Sequence, residues 1–485
     1  EVSIQLAETR DFHSALMTTN SGGIWDDLGW LCMNDIQQVA RDASEALKKF
    51  GLCSNEPVLI PVGGRAEDIS AILAVIDAGG VAVPFHRKSH RDTRSNLESA
   101  SSARFVLSTP DHERRSTPSP IRISETLPPK RPLLDGAAMI TYTSGSTGKP
   151  KGVVLSRNKI SAKLDTICEA IEMVGSPVAV VPLQLQFSFG QWATFLPLMM
   201  GGTVHITARF SADWANQIVR NQPITHFAAV PTMLRLMMEG ERVDRHMRIL
   251  TGGEAVSSKL SSAIFKRWPN ATINGIYGLT ETGTCDLFRF DRLGLPSDDS
   301  LGYPAKQIQV ITDPITSELL IQSPYAMLGY LDMPELTNEI MCDGWIRTGD
   351  IASINKDGTV TLRGRIKDLI NRGGNKVAPI EVESVFADHP AISAVLVTGV
   401  PDPQFGEAIH MLVVPKNAEA PSKQALIDWA KDRTDRFKLP DAVHYGKMLP
   451  LGPTGKADRS VLRRNILGKS TTIFESSLEN DNRKN

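Results

Sequence analysis

The sequence predicts an α/β protein built on parallel sheets and divided into at least two domains. Three observations carry this. From Ile36 to Leu250, short apolar runs alternate with stretches at helical spacing, the pattern of a parallel sheet crossed by helices. The chain has 485 residues. A single hydrophobic core stops growing near ~250–300 residues. Finally, a stretch of hydroxyl-bearing and small residues, Thr141 to Val153, directly follows an apolar run, where an open sheet presents its loops to a ligand.

The elements follow in order. Phe12 to Met17 and Ile36 to Phe50 read as helices. In the second, Ile36, Val39, Ala40, Ala43 and Leu47 recur at three- and four-residue steps, and Gly51 follows as a stop. Val58 to Val62 reads as a buried strand ending in Gly63-Gly64. Glu67 to Ala78 is an apolar helix, and Val81 to Pro84 and Arg104 to Leu107 are further strands. Pro110 to Pro132, rich in Pro, Ser and charge, reads as a surface loop. The pattern resumes with a helix over Lys159 to Met173 and a strand over Val178 to Val181. Val204 to Ile206, His226 to Val230 and Arg248 to Leu250 are three more strands. His226 reads as a structural histidine, with no acid or nucleophile beside it.

Composition excludes several function classes. Hydrophobic content of 41% and charged content of 22% describe an ordinary soluble protein. The formal net charge is -1, so no global field recruits nucleic acid or anionic lipid. The cysteines, Cys32, Cys53, Cys168, Cys285 and Cys342, are far apart and odd in number. They form no zinc or disulfide spacing, which points to reduced thiols in a cytoplasmic protein. The first residues lack the basic start and apolar core of a signal peptide. No apolar run approaches the ~20 residues of a membrane span.

The chemistry concentrates in TYTSGSTGKPKGV, residues 141–153. Thr143, Ser144, Ser146 and Thr147 offer hydroxyls, Gly145 and Gly148 let backbone N–H groups turn toward an anion, and Lys149 and Lys151 supply positive charge. That is a loop suited to a polyphosphate. It is not the Walker A pattern, since Pro150 follows Lys149 where Ser or Thr belongs. The bland alternative, a flexible linker, does not explain a strand lead-in beside ordered hydroxyls and two lysines. Further on, TGGE at 251–254 ends a strand where open sheets bind ligands, and Gly252 and Gly253 would let a flat ring approach the backbone. YGLTETG at 277–283 joins a ring (Tyr277), a hydroxyl (Thr280) and a carboxylate (Glu281). Mg²⁺ often takes one carboxylate plus substrate phosphates, which suits Glu281. The aromatic stretch 182–198 holds Phe187, Phe189 and Trp192, which either line an organic-substrate pocket or belong to the core.

With these motifs in place, the chain resembles the adenylate-forming, AMP-binding superfamily: acyl- and aryl-CoA synthetases, luciferases and peptide-synthetase adenylation domains. The phosphate loop and YGLTETG match its first two motifs. GYL at 329–331, WIRTGDI at 345–351, GRIKDLINRGGNKVAPIEVE at 364–383 and PTGKADR at 453–459 fit as well. The resemblance runs from about Ala71 to Arg464. It implies a large N-terminal domain (1–363) of parallel sheets flanked by helices, a hinge at 364–368, and a small mobile α+β domain (369–465). Residues 466–485, mostly polar, read as a disordered tail.

The resemblance also implies roles. The loop from Thr143 to Thr147, with Lys149 and Lys151, would hold the β- and γ-phosphates of ATP. Gly252, Gly253, Glu254 and Tyr277 would bound the adenine. Thr280 would bond the α-phosphate and Glu281 would hold Mg²⁺. Asp350 would accept the ribose hydroxyls, assisted by Arg365. Lys456 would bridge carboxylate and α-phosphate, and Lys367 would be the pivot. Gln186, Phe187, Phe189, Gly190 and Gly275 would line the substrate pocket. For the acidic residues and for Lys367, the alternative is an ordinary solvated charge.

Two departures bear on the substrate. Amino-acid-activating relatives carry an aspartate where Gly190 stands, and an unpaired buried ammonium is costly, so an α-amino acid is disfavoured. Many acyl-CoA synthetases carry a histidine where Gln186 stands. Three functions remain open at this point. One is a synthetase that activates a small carboxylic acid with ATP and transfers it to CoA. A second is the same activation with delivery to an amine or a carrier-protein thiol. The third is a nucleotide-binding protein without catalysis. Neither nucleic acid nor a membrane span figures in any of them.

Overall fold

The computed structural model describes residues 10–109, 114–143, 150–253, 256–294, 300–416, 420–452 and 457–468. The chain forms two compact units, residues 1–311 with 320–348, and residues 312–319 with 349–485. The expected tail beyond residue 468 lies outside the described residues.

The larger unit is built on two mixed sheets with parallel centres. In one, Pro57–Val62 lies between Val81–His86 and Phe105–Ser108, all parallel. Ala137–Thr143 joins on the far side of Val81–His86, also parallel. The central run Pro57–Val62 is buried at every residue, as a strand covered on both faces must be. Edges are antiparallel: Ser119–Arg122 pairs with Phe105–Ser108, and Lys151–Ser156 with Ala137–Thr143. The first of these corrects the reading of Pro110 to Pro132 as loop throughout. Pro120 cannot donate to a ladder, so a strand containing it survives at a sheet edge, which is where it sits.

The second sheet has nine strands. Its parallel centre contains Val178–Val180, Thr203–His205, His226–Ala228, Arg248–Gly252 and Thr272–Tyr277. At one end Leu287–Arg292 runs antiparallel. At the other, the hairpin Gly23–Asp26 and Gly29–Cys32 closes the sheet, an element without a clear alternation in its sequence. One apolar core gathers Phe227, Ile249, Ile273, Leu260, Ile264 and Trp268, all buried. No helix among the described residues is long and apolar enough to cross a membrane.

The smaller unit is α+β. Ile392–Asp402 and Gly406–Pro415 form a long antiparallel pair, joined by Ile370–Arg372 and, in parallel, by Ala442–Tyr445. Its core holds Val377, Val382, Phe386, Val397, Met411 and Leu426. The residues expected as hinge fall inside this unit. Arg365 ends the strand Val360–Arg365, and Ile366–Asp368 form one 3₁₀ turn.

Candidate active site

The phosphate-loop stretch is the connection of a hairpin. Ala137–Thr143 leads in and Lys151–Ser156 returns, with Thr143 opposite Lys151. Ser144, Gly145, Ser146, Thr147, Gly148 and Lys149 lie outside the described residues. Lys151, at the start of the return strand, sets its ammonium 5.4 Å from the centre of the Tyr330 ring. Tyr330 belongs to the GYL motif, and Gly329–Tyr330 pairs with the same return strand. Its hydroxyl donates to Glu281 Oε1 at 2.8 Å. Burial, together with that carboxylate, pushes the Tyr330 phenol well above its ordinary pKa. Three segments far apart in sequence thus meet around Tyr330.

Glu281 sits in the 3₁₀ turn Thr280–Thr282, and backbone bonds fix that turn. Met327 N–H donates to the Glu281 carbonyl at 2.8 Å, and Ser323 Oγ donates to the Thr282 carbonyl at 2.8 Å. Beneath it, Thr282 Oγ1 donates to Asp286, whose other carboxylate oxygen lies 3.1 Å from Lys163 Nζ. Lys163 and Asp286 are both almost wholly buried. Burial raises the Asp286 carboxyl against the Lys163 ammonium, which lowers it. Burial likewise pushes the neighbouring Cys285 thiol up to about 12, so this thiol is inert at neutral pH. Thr280 takes a hydrogen bond from Ser188 Oγ at 3.4 Å.

At the expected adenine side, Gly252 ends Arg248–Gly252 and Tyr277 ends Thr272–Tyr277, adjacent parallel strands. A Cβ on Gly252 would come 2.4 Å from the Ile276 carbonyl oxygen, so the neighbouring strand alone demands glycine there. Gly253 is exposed, and Glu254 lies outside the described residues.

The aromatic stretch folds into the helix Ser188–Met199. A cavity in the larger unit is bounded by one stripe of this helix, Ser188, Gln191, Trp192 and Phe195, and by Lys159, Lys163, Leu164 and Ile167 of the helix Arg157–Ala170. Gly283, Thr284 and Tyr325 complete it beside the Glu281 turn. Gln186, Phe187, Phe189, Gly190 and Gly275 are not among its walls. Phe189 instead stacks on Trp192, with ring centres 5.2 Å apart. A Cβ on Gly190 would lie 2.3 Å from the Gln184 carbonyl oxygen, so the position holds no side chain for reasons of backbone packing. The corresponding space at Gly275 faces Arg289.

In the smaller unit Asp350 faces Arg365 across an antiparallel pair. Asp350 is 1% exposed, and Arg365 Nε lies 2.8 Å from its Oδ1. Lys367 is exposed on the turn that follows. Lys456 lies outside the described residues, while its flanks Leu451 and Ala457 form an antiparallel bridge.

The motifs missed roles for Tyr330, Lys163, Asp286 and Ser188. Ser188, Gln191, Trp192 and Phe195 do share a signal, the three- and four-residue step of one helix face. Among the described residues no group of three or more His, Cys, Asp or Glu could hold a metal. A Mg²⁺ held by Glu281 would have positions open to phosphates and water, as that ion commonly does.

The AMP-binding enzyme family matches residues 14–331, and the AMP-binding enzyme C-terminal domain matches 381–456. The chain is 28% identical to a feruloyl-CoA synthase from Amycolatopsis sp over 457 residues, 88% of this chain and 92% of that one. It is 31% identical over 353 residues to ScoC, a fatty acid–acyl-carrier-protein ligase from Streptomyces coeruleorubidus, covering 68% of this chain and 67% of that one. In fold it is similar to o-succinylbenzoate coenzyme A synthetase from Bacillus subtilis, solved with ATP and magnesium. The TM-score is 0.79 at 21% identity, over 93% of this chain and 98% of that one. With family matches that take in both units, the chain belongs to the AMP-binding enzymes, in the AMP-forming acid–thiol ligase family.

Proposed function

We propose that the protein activates a carboxylic acid with ATP and transfers the acyl group to CoA. In the first step a carboxylate oxygen attacks the α-phosphorus, pyrophosphate leaves, and an acyl-adenylate forms. In the second, the CoA thiolate attacks the acyl carbon and AMP leaves. A carboxylate is a poor electrophile and a mixed anhydride a good one, so ATP supplies the activation. What the protein adds is positioning and positive charge around the phosphates.

One observation carries this reading: Glu281, Tyr330 and Lys151 form a continuous chain beside the hairpin that bears the hydroxyl loop. Thr143 to Lys149 and Lys151 would take the β- and γ-phosphates, Thr280 the α-phosphate, and Gly252, Gly253, Glu254 and Tyr277 the adenine. Asp350 and Arg365 would meet the ribose. Glu281 would hold Mg²⁺, which neutralises phosphate charge when bound. Lys456 would serve the first step from the small domain, residues 369–465, turning about 364–368 with Lys367 as pivot. The mostly apolar cavity beside the Glu281 turn, with no Asp or Glu among its lining residues, supports an acid with an apolar or aromatic body and no α-ammonium.

The test is product analysis by mass spectrometry with ATP, a carboxylate panel, and CoA, amines or no acceptor. A CoA thioester with AMP and pyrophosphate is expected. An amide, or an acylated carrier protein in place of the thioester, would leave the first step standing and replace the second. Pyrophosphate released best with free α-amino acids would overturn the substrate reading.

A further inference from the structure

The cavity beside the Glu281 turn is apolar along most of its wall: Met139, Leu155, Ile160, Leu164, Ile167 and Phe195. Set in that wall are two buried hydrogen-bond donors with capacity to spare. Trp192 is 3% exposed, and its Nε1 has no hydrogen-bond partner among the described residues. Lys163 is 2% exposed. Its ammonium has three hydrogens. Among the described residues its hydrogen bond goes to Asp286, and it stands over the face of the Tyr325 ring, 5.0 Å from the centroid. Most buried donors in folded proteins find an acceptor, so two under-used donors around one cavity mark a place where an acceptor is brought from outside. The mouth of the cavity supports the same view. Ser188, which lines it, donates to Thr280, the residue assigned to the α-phosphate.

We propose that the acid activated by this protein carries an oxygen acceptor on its body, such as a carbonyl, ether, hydroxyl or second carboxylate, held by Lys163 Nζ and Trp192 Nε1 inside this cavity. The inference rests on the adenylation reading and specifies its substrate class. The apolar wall takes the carbon skeleton, and the two donors select the oxygenated acid over the plain hydrocarbon acid. The contact with Asp286, 3.1 Å away, aims the Lys163 amine. A second carboxylate would add charge attraction to the same contacts.

The experiment is pyrophosphate release measured as kcat/KM on matched acids. Phenylpropanoate and straight-chain alkanoates are each compared with isosteres bearing an oxo, methoxy or second carboxyl group. A hydrogen bond to a charged donor supports a preference of roughly 10- to 100-fold for the oxygenated partner. Trp192→Phe keeps most of the ring and removes the N–H, and should shrink that ratio several-fold. Lys163→Arg keeps the charge beside Asp286 and displaces the donors, and should shrink it as well. Thermal unfolding of each variant establishes that it is folded. A ratio near one in the natural protein, or a ratio unchanged in both folded variants, overturns the proposal while leaving adenylation intact. Absence of pyrophosphate release with every acid overturns the adenylation reading and this inference with it.

Discussion

Glu281 in the larger unit and Arg365 in the smaller one are both charged residues expected at the nucleotide, yet the fold treats them differently. Glu281 is half-buried, takes a hydrogen bond from Tyr330, and sits on a turn tied to Met327, Ser323 and, through Thr282, the buried Asp286–Lys163 pair. Arg365 is 51% exposed and stands at the end of a strand, with Lys367 exposed just beyond it. One site is set in place before a ligand arrives. The other pairs the exposed Arg365 side chain with the buried Asp350 carboxylate. Substitutions in the larger unit should therefore cost folding energy, and substitutions of the exposed groups in the smaller unit should cost rate.

The largest effect tests the fixed side. Lys163→Met leaves the Asp286 carboxylate buried without its partner, and breaking such a pair costs about 3–5 kcal/mol. Urea unfolding should show that loss, and a change below ~1 kcal/mol would mean the pair does not hold the turn. Lys456→Ala tests the other side. One charge-assisted contact made in the transition state accounts for roughly 10²–10³ in rate. Adenylate formation should fall by that factor with the unfolding midpoint unchanged, and near-normal adenylation would remove Lys456 from the mechanism.

Lys367→Pro sharpens the comparison further. Proline fixes φ near ~-65°. Adenylate formation should survive in this variant while transfer to the acceptor fails, the two steps being followed separately. Equal loss of both would mean damage to the fold or the ATP site, and survival of both would move the pivot elsewhere. Tyr330→Phe removes one hydrogen bond to Glu281, a matter of about 1 kcal/mol. The Mg²⁺ needed for half-maximal rate should rise several-fold, and an unchanged metal dependence would separate Glu281 from the metal.

Proton linkage gives the smallest effect. Burial lowers His205 to about 4 and His226 to about 4, the latter helped by Arg248. Unfolded histidine titrates near ~6.5, so below that pH the unfolded chain binds more protons than the folded one. Their contribution is complete above ~6.5 and is lost as pH falls toward the folded values. Between pH 7 and 6 the loss is roughly 0.7 kcal/mol per group. In the smaller unit His444 is lowered to about 4 and sits 2.9 Å from His410, but this pair is less buried and its effect is screened. Unfolding midpoints measured from pH 7 to 5 should fall, and His226→Asn should flatten that slope. A slope unchanged in the variant would mean that His226 is protonated in the folded state.

What the sequence determined by itself is whatever a few neighbouring residues encode. The strand leading into Thr141 to Val153 and its small-residue loop are legible because glycine, hydroxyl and lysine chemistry is local, whereas the return strand Lys151–Ser156 is not. The helix over residues 36–50 and the buried strand at 58–62 are legible because helix and strand periods repeat within one segment. Only the tertiary structure decided which distant groups meet. Tyr330 reaches Glu281 because Gly329–Tyr330 pairs with the return strand of the hairpin. Lys163 reaches Asp286 across 123 residues of sequence. The substrate stretch shows the same limit most directly. Its aromatic content flags a pocket, but the rotation of the helix Ser188–Met199 decides that Ser188, Gln191, Trp192 and Phe195 face the cavity while Gly190 turns against the Gln184 carbonyl. The three- and four-residue step marks that stripe locally, but the side it turns to follows from packing on elements far away in the chain.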